Sequence, residues 1–220
     1  AAQGGRVFYT GGYVRDYLLQ GHSGASKDID NEVFFLNRDQ LLSILKTYGP
    51  VIEVGNSFPV IKLKNYLQWD FTLPQKERIS YREACARRDF TINAMMIDII
   101  SGDVLDFFEG QEDLRQKIIR HTHEQVFTVD QLRTYRAVQL AARLGFNIYP
   151  RTLELMQECP LDDIKPERIL EELRKLLLSA PRPSIGLRYM QEAGILKRRH
   201  PMLYQLIGCE QSPVNHPEGD

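Results

Sequence analysis

Asp28-Ile29-Asp30 places two carboxylates two residues apart at the head of a run, Asp28–Leu36, whose composition reads as a half-buried strand. Residues i and i+2 of a strand point to the same side, so both carboxylates project together while Ile29 turns inward. Like charges this close repel, and a divalent cation suited to oxygen ligands, such as Mg²⁺, relieves the repulsion. Asp70 lies in a second strand, Leu67–Leu73, where Trp69 and Phe71 face the core, and it completes a candidate site of three carboxylates. Taken alone, a solvated pair of surface aspartates accounts for Asp28 and Asp30 equally well.

Three further segments carry chemistry. Gly11-Gly12 follows a strand and precedes a short helix, with Arg15 and Asp16 in its first turns. Glycines there let backbone N–H groups approach a triphosphate, and a helix N-terminus favours anions; a plain turn is the simpler use of the same pair. Arg87-Arg88-Asp89-Phe90-Thr91-Ile92-Asn93-Ala94 sets two cations beside an anion and an amide. Its arginines suit phosphate oxygens, while Asp89 and Asn93 fix a ribose or orient those arginines, unless the whole is a structural ion-pair knot. In Asp130-Gln131-Leu132-Arg133-Thr134-Tyr135-Arg136, Asp130 and Arg133 lie three apart on one predicted helix face. An aspartate accepts from an exocyclic amine and an arginine donates to a ring acceptor, an edge that cytosine and adenine offer and uracil and guanine do not. An ordinary helix-start aspartate with an i+3 arginine partner has the same sequence.

The elements that must position these residues fall into two textures joined near residues 120–130. The first mixes short strands (Arg6–Thr10, Asp28–Leu36, Val51–Val54, Val60–Lys64, Leu67–Leu73) with helices (Val14–Leu19, Gln40–Tyr48), an α/β head. The second is helical. Asp130 is placed to cap a run to Leu144 stopped by Gly145, and Thr152–Cys159, Pro166–Ser179 and Pro183–Ala193 follow.

Across 220 residues, 43% hydrophobic content is ample for a core, and no apolar run approaches the ~20 residues that span a bilayer. Ala1–Gly5 does not resemble a signal peptide. Cys85, Cys159 and Cys209 are odd in number and far apart, which suggests neither a disulfide framework nor a zinc site and suits the cytoplasm. The formal net charge of −1 hides a division. Residues 165–200 hold an excess of bases, including Lys165, Arg168, Arg174, Lys175, Arg182, Arg188, Lys197, Arg198 and Arg199, and the rest is acidic. Such a stretch attracts a polyanion; it also suits a solvated helix face with pairs such as Glu171 and Lys175.

Together the glycine pair leading to Arg15-Asp16, the Asp28-Ile29-Asp30 triplet, the 87–94 segment, Asp130-Gln131-Leu132-Arg133 leading to Ala141-Ala142-Arg143-Leu144-Gly145-Phe146, and Glu167-Arg168-Ile169 resemble the class II tRNA nucleotidyltransferase and bacterial poly(A) polymerase family, in the family's order. The resemblance covers nearly the whole chain. It implies a polymerase-β-like nucleotidyltransferase head over residues 1–125, a helical neck that reads the incoming base over 126–180, and the start of an RNA-binding helical body over 181–220. Asp28 and Asp30 resemble the metal ligands, and Asp70 is similar to the third carboxylate in a looser motif. Gly11, Gly12 and Arg15 resemble the triphosphate contacts, Arg88 with Asp89 and Asn93 the sugar-phosphate ligands, and Asp130 and Arg133 the base readers. Arg136 resembles a further nucleotide contact.

The implied reaction uses two Mg²⁺ ions and ATP and CTP, with tRNA or another RNA 3′ end as acceptor; no DNA or membrane partner is implied, and the oligomeric state is left open. The expected product is C and/or A at the tRNA 3′ end, with poly(A) tailing the alternative in the same family and a non-catalytic RNA-binding protein a more distant one. Val129 stands where a glutamate usually precedes the base-reading aspartate, and Gln139 where many members have another nucleotide-contacting arginine. Leu73–Ala86 is short for the family's flexible loop, as in enzymes that add only CC. Gln211–Asp220 resembles the opening of a metal-dependent phosphohydrolase domain, so the chain is expected to be the front of a longer protein; His216 is given no ligand role.

Overall fold

The computed structural model describes residues 4–21, 28–55, 59–74 and 79–209. Gln211–Asp220, with His216, and part of the 73–86 segment lie outside them. The first compact unit takes in residues 1–116 and 120–123, the second 117–119 and 124–220.

The first unit is built on a sheet of seven strands, β1 (Arg6–Thr10), β2 (Ile29–Phe34), β3 (Val51–Val54), β4 (Val60–Leu63), β5 (Tyr66–Thr72), β6 (Met95–Asp98) and β7 (Val104–Asp106), in the order β3-β4-β5-β2-β1-β6-β7. Only β2 and β5 run parallel, with Asp30 beside Asp70 and Asn31 beside Phe71. Its helices are α1 (Gly11–Gln20), α2 (Arg38–Lys46), α3 (Tyr81–Ala86) and α4 (Gly110–Gln116).

Both faces of the sheet are covered, because side chains alternate along each strand. Val33 joins Leu41 and Leu45 of α2 with Ile61, Leu63 and Phe71 on one side. Phe8 and Phe34 meet Ala84 and Cys85 of α3, with Ala94 and Met96, on the other. Asp30 and Glu32 therefore share the α3 side with Phe34. The strands expected from the sequence are present, with ends moved by one or two residues. Helix α1 starts earlier than expected, taking both glycines into its first turn. The expected loop 73–86 ends in α3, which Ser80 and Glu83 start with a reciprocal capping box.

The second unit contains α5 (Val126–Val129), α6 (Arg133–Leu144), α7 (Pro150–Glu158), α8 (Pro166–Ser179), α9 (Pro183–Glu192), α10 (Ile195–Arg199) and α11 (Pro201–Tyr204), with a two-stranded parallel pair, β8 (Ile118–Ile119) and β9 (Asn147–Ile148). Gly145 ends α6 at φ +68, as its position predicts. Helix α9, in the expected body segment 181–220, packs closely on α6 and α8 of the expected neck segment 126–180. The close approach rests on Gly186 of α9. A Cβ there would overlap the Leu176 side chain of α8 and stand 2.9 Å from the Val138 carbonyl oxygen of α6 and 3.2 Å from the Ala142 Cβ. Gly186→Ala gains about 1 kcal/mol of helix propensity and loses more to overpacking. The expected net loss is about 2 kcal/mol in urea unfolding, and an unchanged midpoint would contradict this packing.

Candidate active site

Asp30 and Asp70 are brought together by Asn31, which is fully buried on the opposite face. Its side-chain amide donates to the carbonyls of Ile29 (3.0 Å) and Asp70 (3.2 Å), while the Thr72 hydroxyl donates to the Asn31 carbonyl (3.1 Å). These bonds lock the one parallel pair of the sheet in the register that sets Asp30 beside Asp70. Asp28 and Asp30 are exposed. Asp70 is partly covered, and its Oδ1 lies 2.5 Å from Lys62 Nζ.

The glycine turn closes on the same place. Gly11 has φ +67, and a Cβ there would lie 2.9 Å from Arg88 Nη1 and 3.2 Å from Asp30 Oδ2. Only a glycine lets the backbone, the Arg88 guanidinium and the Asp30 carboxylate meet. Thr10 gives the first turn of α1 no side-chain cap. Arg88 is held from behind by Glu32, a carboxylate with no exposed surface. Glu32 Oε2 accepts from Arg88 Nη2 at 3.2 Å, and its Oε1 pairs with Arg87. The buried Nε of Arg88 has no hydrogen-bond partner. A guanidinium anchored at one corner, with a donor unspent, is suited to phosphate oxygens.

Asp89 and Asn93 belong to a buried network with Arg15. Asn93 Nδ2 donates to Asp89 Oδ1 (2.9 Å), and Asn93 Oδ1 accepts from Arg15 Nη1 (2.7 Å). Arg15 itself is 3% exposed and also pairs with Asp16 Oδ1 at 2.7 Å. Asn93, held by Asp89, thereby ties Arg15 of α1 to the 87–94 segment. Burial pushes the neighbouring Cys85 thiol up to about 12, which keeps it protonated.

In the helical unit Asp130 precedes α6 in extended backbone rather than capping it, since the residue at the cap is Leu132. Asp130 Oδ1 accepts from the Leu132 N–H at 3.2 Å, and the carboxylate takes both arms of Arg168 at 3.2 and 2.8 Å. Arg133 Nη1 donates to the Val126 carbonyl at 3.3 Å. Arg136 is exposed, and Gln139 is buried with no partner for its Nε2. Lys175 pairs with Glu172, not Glu171, because Glu172 is the carboxylate on the buried side of α8. Arg198 donates to the carbonyls of Cys159, Met156, Ala193 and Gly194, a structural staple. Lys165, Arg174, Arg182, Arg188 and Lys197 are exposed.

Sequence reasoning missed Glu32 and Lys62, and it gave Arg168 a place in the basic stretch and in a family motif but no link to Asp130. The parity of Asp28, Asp30 and Glu32 was a usable signal for the first. Nothing local marks the partners of the other two, which are set by sheet register and helix packing.

A mixed sheet with acids on neighbouring strands beside a glycine turn, followed in the chain by a helical unit, is the polymerase-β-like nucleotidyltransferase head with a helical body. The profile of the Poly A polymerase head domain matches residues 51–120, and that of the probable RNA and SrmB-binding site of polymerase A matches residues 145–206. The chain is 36% identical to the Multifunctional CCA protein of Xanthomonas campestris pv. campestris (strain B100), over 98% of its own length and 55% of the relative's. It is 35% identical to the protein of that name from Acinetobacter baumannii (strain SDF), again over 98% and 55%. It thus spans about half the length of the curated relatives it matches. A CCA-adding enzyme solved with CTP superposes with TM-score 0.77 at 30% identity, covering 90% of this chain and 50% of that one. The Thermotoga maritima CCA-adding enzyme complexed with tRNA gives 0.76 at 28%, covering 90% and 48%. The chain belongs to the class II tRNA nucleotidyltransferase and poly(A) polymerase family.

Proposed function

We propose that the protein is a template-independent nucleotidyltransferase that adds C and A from CTP and ATP to the 3′ end of tRNA. The observation that carries this is the convergence of Gly11, Asp30 and Arg88, an anion-binding turn, a metal-suited carboxylate and an anchored guanidinium at one point. The relatives' names and the CTP, ATP and tRNA complexes of similar structures support the substrates.

In this reading the α1 turn and Arg88 take the triphosphate, and Arg15 holds the turn in place. Asp28, Asp30 and Asp70 offer only oxygen donors, the chemistry that suits Mg²⁺, and Asp30 and Asp70 stand in register. Among the described residues, no three potential ligands are already gathered as a metal cage. Two Mg²⁺ ions, when bound, supply Lewis-acid activation of the RNA 3′-hydroxyl and charge neutralisation at the pyrophosphate. The 3′-oxygen bonds to the α-phosphorus, loses its proton, and the bond to pyrophosphate breaks; no covalent enzyme intermediate is needed. Asp130, oriented by Arg168, and Arg133 read the base, and the exposed bases of residues 165–197 face the acceptor's phosphates. The buried thiols Cys85 and Cys159, both unpaired, suit a cytoplasmic setting.

The test is transfer of label from α-labelled CTP and ATP to a tRNA transcript lacking its CCA end. Labelled tRNA and released pyrophosphate are expected, and silence with every NTP refutes the proposal. Asp130→Ala should lower discrimination against UTP roughly tenfold or more, since an unpaired polar group costs about 1–3 kcal/mol. Unchanged ratios of CTP to UTP incorporation would remove Asp130 from base reading.

A further inference from the structure

The carboxylate row has a cation built into it. Asp30, Asp70 and Lys62 are successive register partners across β2, β5 and β4, so the three side chains stand on one face of the sheet. Lys62 Nζ lies 2.5 Å from Asp70 Oδ1 and 3.4 Å from the carbonyl oxygen of Leu67. The second oxygen is supplied by an irregularity. Between Lys62 and Leu63 the pairing jumps from Lys62↔Asp70 to Leu63↔Tyr66, leaving Leu67–Trp69 out of the ladder. Bulges of this sort redirect groups beside functional sites. The two side chains are only 26% and 23% exposed, so the pair is shielded more than an ordinary surface contact.

We propose that Lys62 competes with a divalent cation for Asp70. Asp28 and Asp30 then form the standing metal site, and Asp70 joins it only when the lysine lets go. This rests on the reading of the three aspartates as the metal site. An ammonium and a divalent ion repel strongly at one carboxylate oxygen, so occupancy by one disfavours the other. The phosphates of a bound nucleotide offer the displaced ammonium a new partner on the same sheet face. Loading of Asp70 is thereby coupled to nucleotide binding, and the coupling is reciprocal.

Mn²⁺ binding without nucleotide, followed by electron paramagnetic resonance of the free ion, tests the proposal on wild type, Lys62→Met, Asp70→Asn, the double variant and Asp30→Asn. Lys62→Met should bind Mn²⁺ roughly tenfold more tightly, and the substitution should give no such gain in the Asp70→Asn background. Lys62→Gln, which keeps a polar head, should tighten binding in the same direction and stands in if the methionine variant does not fold. Wild-type affinity in both lysine variants overturns the proposal. So does a gain that persists without Asp70, which would make the lysine a source of general field rather than a competitor. Undiminished Mn²⁺ binding by Asp30→Asn would instead sink the underlying metal-site reading, whatever Lys62 does.

Discussion

Asp30→Asn is expected to lower nucleotide incorporation by roughly 10³-fold or more while leaving the melting temperature within a degree or two of wild type. The two expectations have separate causes. The side chain is exposed, and the Asp30 backbone carbonyl accepts from the Thr10 hydroxyl at 3.4 Å. Asparagine keeps that backbone and the side-chain shape. What it removes is the charge beside Gly11 and Arg88, where the reading places metal and triphosphate together. Single-turnover incorporation with a thermal melt separates the two effects. Activity within tenfold of wild type would take Asp30 out of the catalytic site.

Glu32→Ala should have the largest effect on stability, about 2–4 kcal/mol in urea unfolding. Removing one partner of a buried ion pair strands the other, at about 3–5 kcal/mol. Here two guanidiniums lose the same carboxylate, but Arg87 also donates to the Ala84 carbonyl, and Arg87 and Arg88 keep 28% and 22% of their side chains exposed, so the loss is tempered. The same substitution frees Arg88 from its anchor, so KM for the nucleotide should rise even under conditions where the variant is fully folded. Glu32→Gln, which preserves the shape and accepts one hydrogen bond, should lie between. An alanine variant as stable as wild type, within about 0.5 kcal/mol, would mean that the Glu32 cluster holds nothing in place.

Much of this was legible in the sequence, for physical reasons that differ by element. Helix α8 has the bounds expected because Pro166 opens it and its buried Ile169, Glu172 and Leu176 recur at helical spacing. The strand period set Asp30 and Asp70 on outward-facing positions, and the parallel pairing of β2 with β5 puts them side by side. Strand β6 escaped notice because Met95, Met96, Ile97 and Asp98 are all buried, which erases alternation. The partner of Asp130 could not be read at all. Arg168 lies 38 residues away and reaches it through the packing of α8 on α6. The link from Arg15 to Asn93 and Asp89 is not legible in the sequence, because only the fold brings Arg15 across to them.

The overall charge of −1 also resolves at this level. The bases of residues 165–200 are not one uniform surface: Arg168, Lys175 and Arg198 are taken up within the helical unit by Asp130, Glu172 and four backbone carbonyls. The exposed remainder is the part that counterion release would report. Weakening of tRNA binding with salt should therefore be shallower than nine phosphate contacts would give.

The most direct measurement is incorporation of each labelled NTP, with Mg²⁺, into tRNA transcripts ending before CCA, after C and after CC, with an unstructured RNA alongside and products separated at single-nucleotide length. The account predicts addition from CTP and ATP only, on tRNA only, halting after one to three nucleotides. Long A tails on either RNA, or no addition from any nucleotide, would contradict it.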